Sequence, residues 1–66
     1  MKEKNIKKLK EYIESIEQLG ADSRYSLDFE CYGALDMQLY SIEYWAKKAR
    51  KIVQKVQEVG EDEKTS

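Results

Sequence analysis

Sixty-six residues with 12 basic and 13 acidic side chains, no histidine, no proline and one cysteine make a single, near-neutral domain. That composition excludes an intrachain disulfide and a His-based catalytic triad, and it leaves Cys31 as the only soft ligand for a structural zinc. A chain this short buries a core that barely offsets its conformational entropy, so a second chain is the expected source of the missing stability.

The first element in chain order is an amphipathic helix over residues 3–19. Ile6, Leu9, Ile13 and Ile16 follow the alternating three- and four-residue spacing of an a/d seam, with Tyr12 and Leu19 beside it. Lys, Glu and Gln, all good helix formers, fill the remaining faces. Gly20 reads as the residue that ends this helix, because it takes positive φ without a Cβ clash. Asp22 or Ser23 reads as the N-cap of the next. "LGADS" is then a tight connection between antiparallel neighbours.

A second helix is expected from about Arg24 to Val59. Tyr32, Leu35, Leu39, Ile42, Ala46, Ala49, Val53 and Val56 form its heptad seam, and Trp45, Ile52 and Val59 thicken one edge. Gly33 costs about 1 kcal/mol against Ala and is the one candidate for a kink. The sequence ends in a polar tail, residues 60–66, expected to be disordered. The fold class is therefore all-α, an antiparallel helical hairpin over residues 1–59 with a short helix 1 and a long helix 2, assembling into a helical-bundle homo-oligomer. At about 1.5 Å per residue, helix 1 covers helix 2 only to about Ile42. The stripe beyond it needs another chain, which places the oligomer interface at Leu39, Ile42, Trp45, Ala46, Ala49, Ile52, Val53 and Val56. Met37, Tyr40 and Tyr44 form a second apolar stripe away from the seam, so residues 37–45 are expected to be sandwiched.

No apolar run is long enough to cross a bilayer, no signal-peptide pattern is present, and the lone thiol fits a reducing compartment. The expected location is the cytoplasm. A net charge of −1 supplies no global field for DNA, so any anion site is local.

Candidate chemistry is sparse. Without His there is no usual general base, Cys31 has no activating neighbour in sequence, and Glu11, Glu14, Glu17, Asp28, Glu30, Asp36 and Glu43 are spread as on a solvated face. No catalytic residue, cofactor or metal is expected. The richest stretch is "LYSIEYWAKKARK", residues 39–51, where Tyr40, Tyr44 and Trp45 run into Lys47, Lys48, Arg50 and Lys51. Aromatic rings stack on bases, and cations one turn away neutralise phosphate. The plainer reading is a buried seam followed by a solvated basic face. "ADSR" offers amides at the start of helix 2 beside Ser23, Arg24 and Ser26, a ready small-anion site. Its plainer reading is an ordinary cap with an exposed Arg.

These strings resemble the helical hairpin of the phage cyclic-nucleotide sponges, the anti-CBASS sponge family and the hairpin domain it shares with an anti-Thoeris sponge. The matching residues are Gly20, Asp22, Ser23, Arg24, Ser26 and Leu27, then Trp45, Ala46, Lys48, Ala49 and Ile52, within a span of roughly residues 9–52. The segment between Leu27 and Trp45 is about two helical turns longer than in that family, and its N-terminal stretch has no counterpart before Ile6. The resemblance implies a compact helical oligomer of phage origin, acting in the host cytosol. It would sequester cyclic oligonucleotide or cyclic ADP-ribose-type immune signals without cleaving them, in pockets where chains meet. On that reading Ser23, Arg24 and the turn amides hold phosphate, Tyr25, Tyr40 or Tyr44 stacks on a base, and Lys48 or Lys51 comes from a neighbouring chain. The alternatives are a helical-bundle interaction module, an inhibitor or antirepressor that docks on a host or phage protein through Met37, Tyr40 and Tyr44, and a helical-hairpin RNA binder.

Overall fold

The computed structural model describes residues 2–59, and of Val59 only the backbone. It contains two helices, α1 (Glu3–Asp28) and α2 (Tyr32–Val59), packed against each other as a hairpin 49 × 17 × 11 Å in extent. The polar tail expected at residues 60–66 lies outside the described residues.

The hairpin turns in a different place from the sequence expectation. Residues 20–24 are continuous helix, and the connection is Phe29–Cys31. The two helices are thus of nearly equal length, 26 and 28 residues, rather than short and long. Local chemistry explains why α1 runs on. The Ser23 hydroxyl, read as a cap for the next helix, donates to the Leu19 carbonyl one turn back at 2.8 Å. Asp22 accepts from the Gln18 amide at 3.2 Å, an i, i+4 pair on the helix surface. Gly20 costs the helix about 1 kcal/mol, too little to stop it against the packing of the turns that follow.

The real stop is a Schellman motif without glycine. The Cys31 N–H bonds to the Ser26 carbonyl at 2.8 Å and the Glu30 N–H to the Leu27 carbonyl at 3.1 Å. Glu30 takes the left-handed position these bonds require, with φ 55°. For a non-glycine residue that conformation costs about 1–2 kcal/mol. α2 begins at once, the Leu35 N–H bonding to the Cys31 carbonyl at 2.9 Å. Gly33 therefore sits in the first turn of α2, where a kink has no meaning.

The seam is also rotated from the expected one. In α1 the seam runs through Leu9, Tyr12, Ile16, Leu19, Ser23 and Ser26, with Asn5, Ser15, Gly20 and Asp22 also half-buried; in α2 it runs through Leu35, Gln38, Ile42, Trp45, Ala49, Ile52 and Val56, with Ser41 and Ala46 half-buried beside it. Both alternate by three and four, the pattern of a left-handed antiparallel pair. Tyr12 packs on Trp45 with ring centroids 5.4 Å apart. Toward the turn, the Ser26 hydroxyl bonds across the seam to Gln38 Oε1 at 2.8 Å. The stripe from Ala46 to Val56, expected to be bare, is covered along most of its length by α1, because α1 is nine residues longer than the periodicity suggests. Ile6 and Ile13, expected in the seam, lie at its edge and are 41 % and 49 % exposed; Leu39 and Val53 do the same on α2. Among the described residues no apolar side chain is fully buried, and the two buried residues are Ser23 and Ser26.

Candidate functional site

The outward face of α2 carries Met37, Tyr40 and Tyr44, which are 72 %, 69 % and 48 % exposed. Their i, i+3, i+7 spacing puts them on one side of the helix, away from the seam that Ile42 and Trp45 occupy. Two contacts fix the lower end of this face. Tyr44 stands edge-on to Trp45 at 5.2 Å, so the seam tryptophan holds it upright. Lys48 places its Nζ 5.3 Å from the Tyr44 ring centroid, a cation–π contact worth roughly 0.5–1 kcal/mol at an exposed site. Tyr40, Glu43, Tyr44 and Lys47 border a hollow of about 120 Å³, whereas small-molecule pockets run to roughly 300–1,000 Å³. Lys51 continues the same face by one more turn and is exposed.

A larger depression of about 590 Å³ lies higher on α2, bordered by Asp36, Met37, Leu39, Tyr40, Ser41 and Glu43. All of its walls come from one helix. Its two charged side chains are carboxylates, which disfavours phosphate.

The remaining sequence-derived site residues lie elsewhere. Ser23 is buried, its hydroxyl donating to Leu19 rather than facing a ligand. Arg24 and Tyr25 are exposed on α1, where with Ala21 and Asp28 they border a separate hollow of about 250 Å³. The small-anion site expected at residues 22–24 is not formed, because those amides are mid-helix and bonded within α1. The hollow that Arg24 and Tyr25 border on α1 is distinct from the one that Tyr40, Tyr44 and Lys47 border on α2. The interface residues divide too. Ile42, Trp45, Ala46, Ala49, Ile52 and Val56 are half-buried within the single chain, whereas Leu39 and Val53 stay open.

One grouping escaped the sequence reading, which places Tyr25 in the ligand site and Tyr32 in the seam of helix 2 and gives Phe29 no role. At the turn, Tyr25 and Phe29 stack with centroids 6.3 Å apart and planes 5° from parallel, and Leu27 and Tyr32, near them in sequence, are exposed as well. The available signal was the density of aromatics on both sides of Glu30, masked by placing the turn at Gly20. Cys31 is exposed at this tip, its Sγ 3.7 Å from the Phe29 carbonyl oxygen.

The arrangement presents aromatic and apolar side chains to the outside and does not wrap them around an enclosed space. Among the described residues no helix is long and apolar enough to cross a membrane, and no cluster of three or more His, Cys, Asp or Glu is placed to hold a metal. The chain matches no protein-family model, no curated protein and no solved structure.

Proposed function

We propose that this chain is a non-catalytic interaction module, a homo-oligomeric helical hairpin that docks on another protein through the outward face of α2. The observation that carries the reading is the exposure of Met37, Tyr40 and Tyr44 in a row on a helix whose opposite side is already packed. Large aromatic and Met side chains at i, i+3 and i+7 are the anchors with which a helix fills a partner's groove. The basic run of Lys47, Lys48 and Lys51 beyond them favours a groove with an acidic rim. Nothing in this activity requires a general base or a cofactor, and a cytoplasmic location suits the single free thiol.

Site-specific photo-crosslinking tests the reading. A benzophenone side chain at Tyr40 of the full-length protein, in the cells that make it, is expected to capture a discrete protein. Met37→Ala with Tyr44→Ala should remove that product while leaving the helical circular dichroism intact. Capture of the same products from a benzophenone at Glu14, on the other helix, would overturn it.

A second reading keeps one observation of its own. Tyr40, Tyr44, Lys47 and Lys48 bring rings and cations together on a single patch, the combination that stacks a base and neutralises a phosphate. Sequestration of cyclic oligonucleotide or cyclic ADP-ribose-type signals by a phage-type anti-defence protein would use that patch and not residues 22–24. A thermal-shift panel of such ligands separates the two, since a ligand that binds only the folded state raises the melting temperature. A shift lost in Lys48→Ala and Tyr44→Ala supports sequestration, and a flat panel supports the protein partner.

A further inference from the structure

From the distribution of charge and apolar surface we infer that a second copy of the chain covers the face bearing Ile6, Ile13, Leu39 and Val53, and that the two hairpins lie antiparallel, tip to open end. This rests on the homo-oligomeric part of the proposed function and adds to it the face and the orientation.

The face is defined by spacing and by one groove. Ile6 and Ile13 are seven residues apart on α1, and Leu39 and Val53 are fourteen apart on α2. Each pair therefore stays on one side of its supercoiled helix. Ile13 and Val53 border the same groove, with Leu9 and Ala49 at its floor. In an antiparallel hairpin the corresponding edges of both helices then open on one side of the molecule. Each of the four named side chains is more than a third exposed. Among the described residues every apolar side chain of the single chain is at least partly wet, so the fully buried core that holds a small domain together is missing there. Closing this face against an identical face makes a four-helix bundle and supplies that core.

Two symmetric closures of this face are available, one with both tips at the same end and one with tips at opposite ends. Charge separates them. The half nearer the turn, residues 16–45, holds Glu17, Asp22, Asp28, Glu30, Asp36 and Glu43 against the single cation Arg24. The other half, residues 2–15 and 46–59, holds ten Lys and Arg against four Glu. Over the whole sequence outside residues 16–45, Lys and Arg still outnumber Asp and Glu, 11 to 7. Tips together would stack acid on acid and base on base. Tips apart lay the acidic half of each copy along the basic half of the other, an attraction that salt screens over a Debye length of about 8 Å at physiological strength. The outward face with Met37, Tyr40 and Tyr44 stays free in either closure.

Cys31 makes the test direct, because it is the only cysteine, it is exposed, and it marks the tip. A nitroxide on Cys31 of the otherwise unaltered full chain, measured by pulsed dipolar spectroscopy alongside sedimentation, reads the tip-to-tip distance. The expected result is a dimer with a separation of the order of the 49 Å long dimension of the hairpin. Raising salt should weaken this dimer, since the attraction between halves is screened. Ile13→Asp with Val53→Asp should weaken it by roughly tenfold or more, since each buried aliphatic side chain contributes about 1.5 kcal/mol or above. A separation of about 20 Å, two helix diameters, overturns the orientation. A species that sediments as a monomer and shows no dipolar coupling overturns the proposal altogether. So does a dimer that Ile13→Asp with Val53→Asp leaves intact, because another face must then hold it. None of these outcomes touches docking through Tyr40 and Tyr44, which the crosslinking experiment reads separately.

Discussion

The two halves of the hairpin solve the same packing problem in opposite ways. In the open half, Leu9, Tyr12, Ala49, Ile52 and Val56 face inward and the surface is crowded with Lys and Arg. Near the turn, three seam positions are polar, Ser23, Ser26 and Gln38, while Tyr25, Leu27, Phe29, Tyr32, Met37 and Tyr40 face outward. A sequence selected only to fold would reverse that second distribution, since burying one aromatic is worth more than a half-buried serine hydrogen bond. The open half keeps its apolar side chains in the seam, and the segment around the turn puts polar groups in the seam and displays its rings.

The largest expected effect comes from cutting the seam where the two halves meet. Trp45→Ala removes the packing on Tyr12 and the support under Tyr44, and should cost about 2–3 kcal/mol in a denaturant titration, below the value for a fully buried Trp because Trp45 is half-buried. If it cost nothing, the Tyr12–Trp45 contact would not be what holds the seam together.

At the tip the expected effects are smaller and two of them are gains. Ser26→Ala leaves Gln38 without its partner and should cost about 1 kcal/mol. Adding Gln38→Leu should recover most of that, because removing both members of a polar pair spares the desolvation of either. Glu30→Gly should stabilise by about 1 kcal/mol, since it relieves the left-handed conformation at the turn. Gly20→Ala gives a test by sign. Inside a helix with nothing within 4 Å of the new methyl group, it should add about 1 kcal/mol, whereas at a helix C-terminus with positive φ it would destabilise. The smallest effects belong to the exposed rings. Tyr25→Ala and Tyr40→Ser should each shift stability by no more than about 0.5 kcal/mol.

The same division marks how far the sequence could be read. Two amphipathic helices folded into a hairpin were legible, because their heptad spacing survives every substitution of one apolar type for another. The turn was not. Gly20, Asp22 and Ser23 have the chemistry of a stop followed by a cap, yet Ser23 uses its hydroxyl on its own helix, and the left-handed residue is Glu30, a poor candidate by propensity. Polar Ser23 and Ser26 interrupt the apolar pattern where the helix goes on, so hydropathy ends the helix at Leu19. Shifting the turn in turn moved the seam: with Tyr12 and Leu19 facing α2, Ile6 and Ile13 rotate to its edge. Of the site, the row of Met37, Tyr40 and Tyr44 with Lys48 beside it was legible as one helix face. Its separation from Ser23 and Arg24 was not, since that depends wholly on where the chain reverses.

The contrast between a ring in the seam and rings on the outside makes one statement about tyrosines that can be read in solution. Photochemically induced nuclear polarisation reports the access of a dye to each tyrosine ring. Strong enhancement at Tyr25, Tyr40 and Tyr44 with weak enhancement at Tyr12 is the predicted pattern. Tyr40 and Tyr44 as shielded as Tyr12 would contradict it, because the face assigned to a partner would then already be covered.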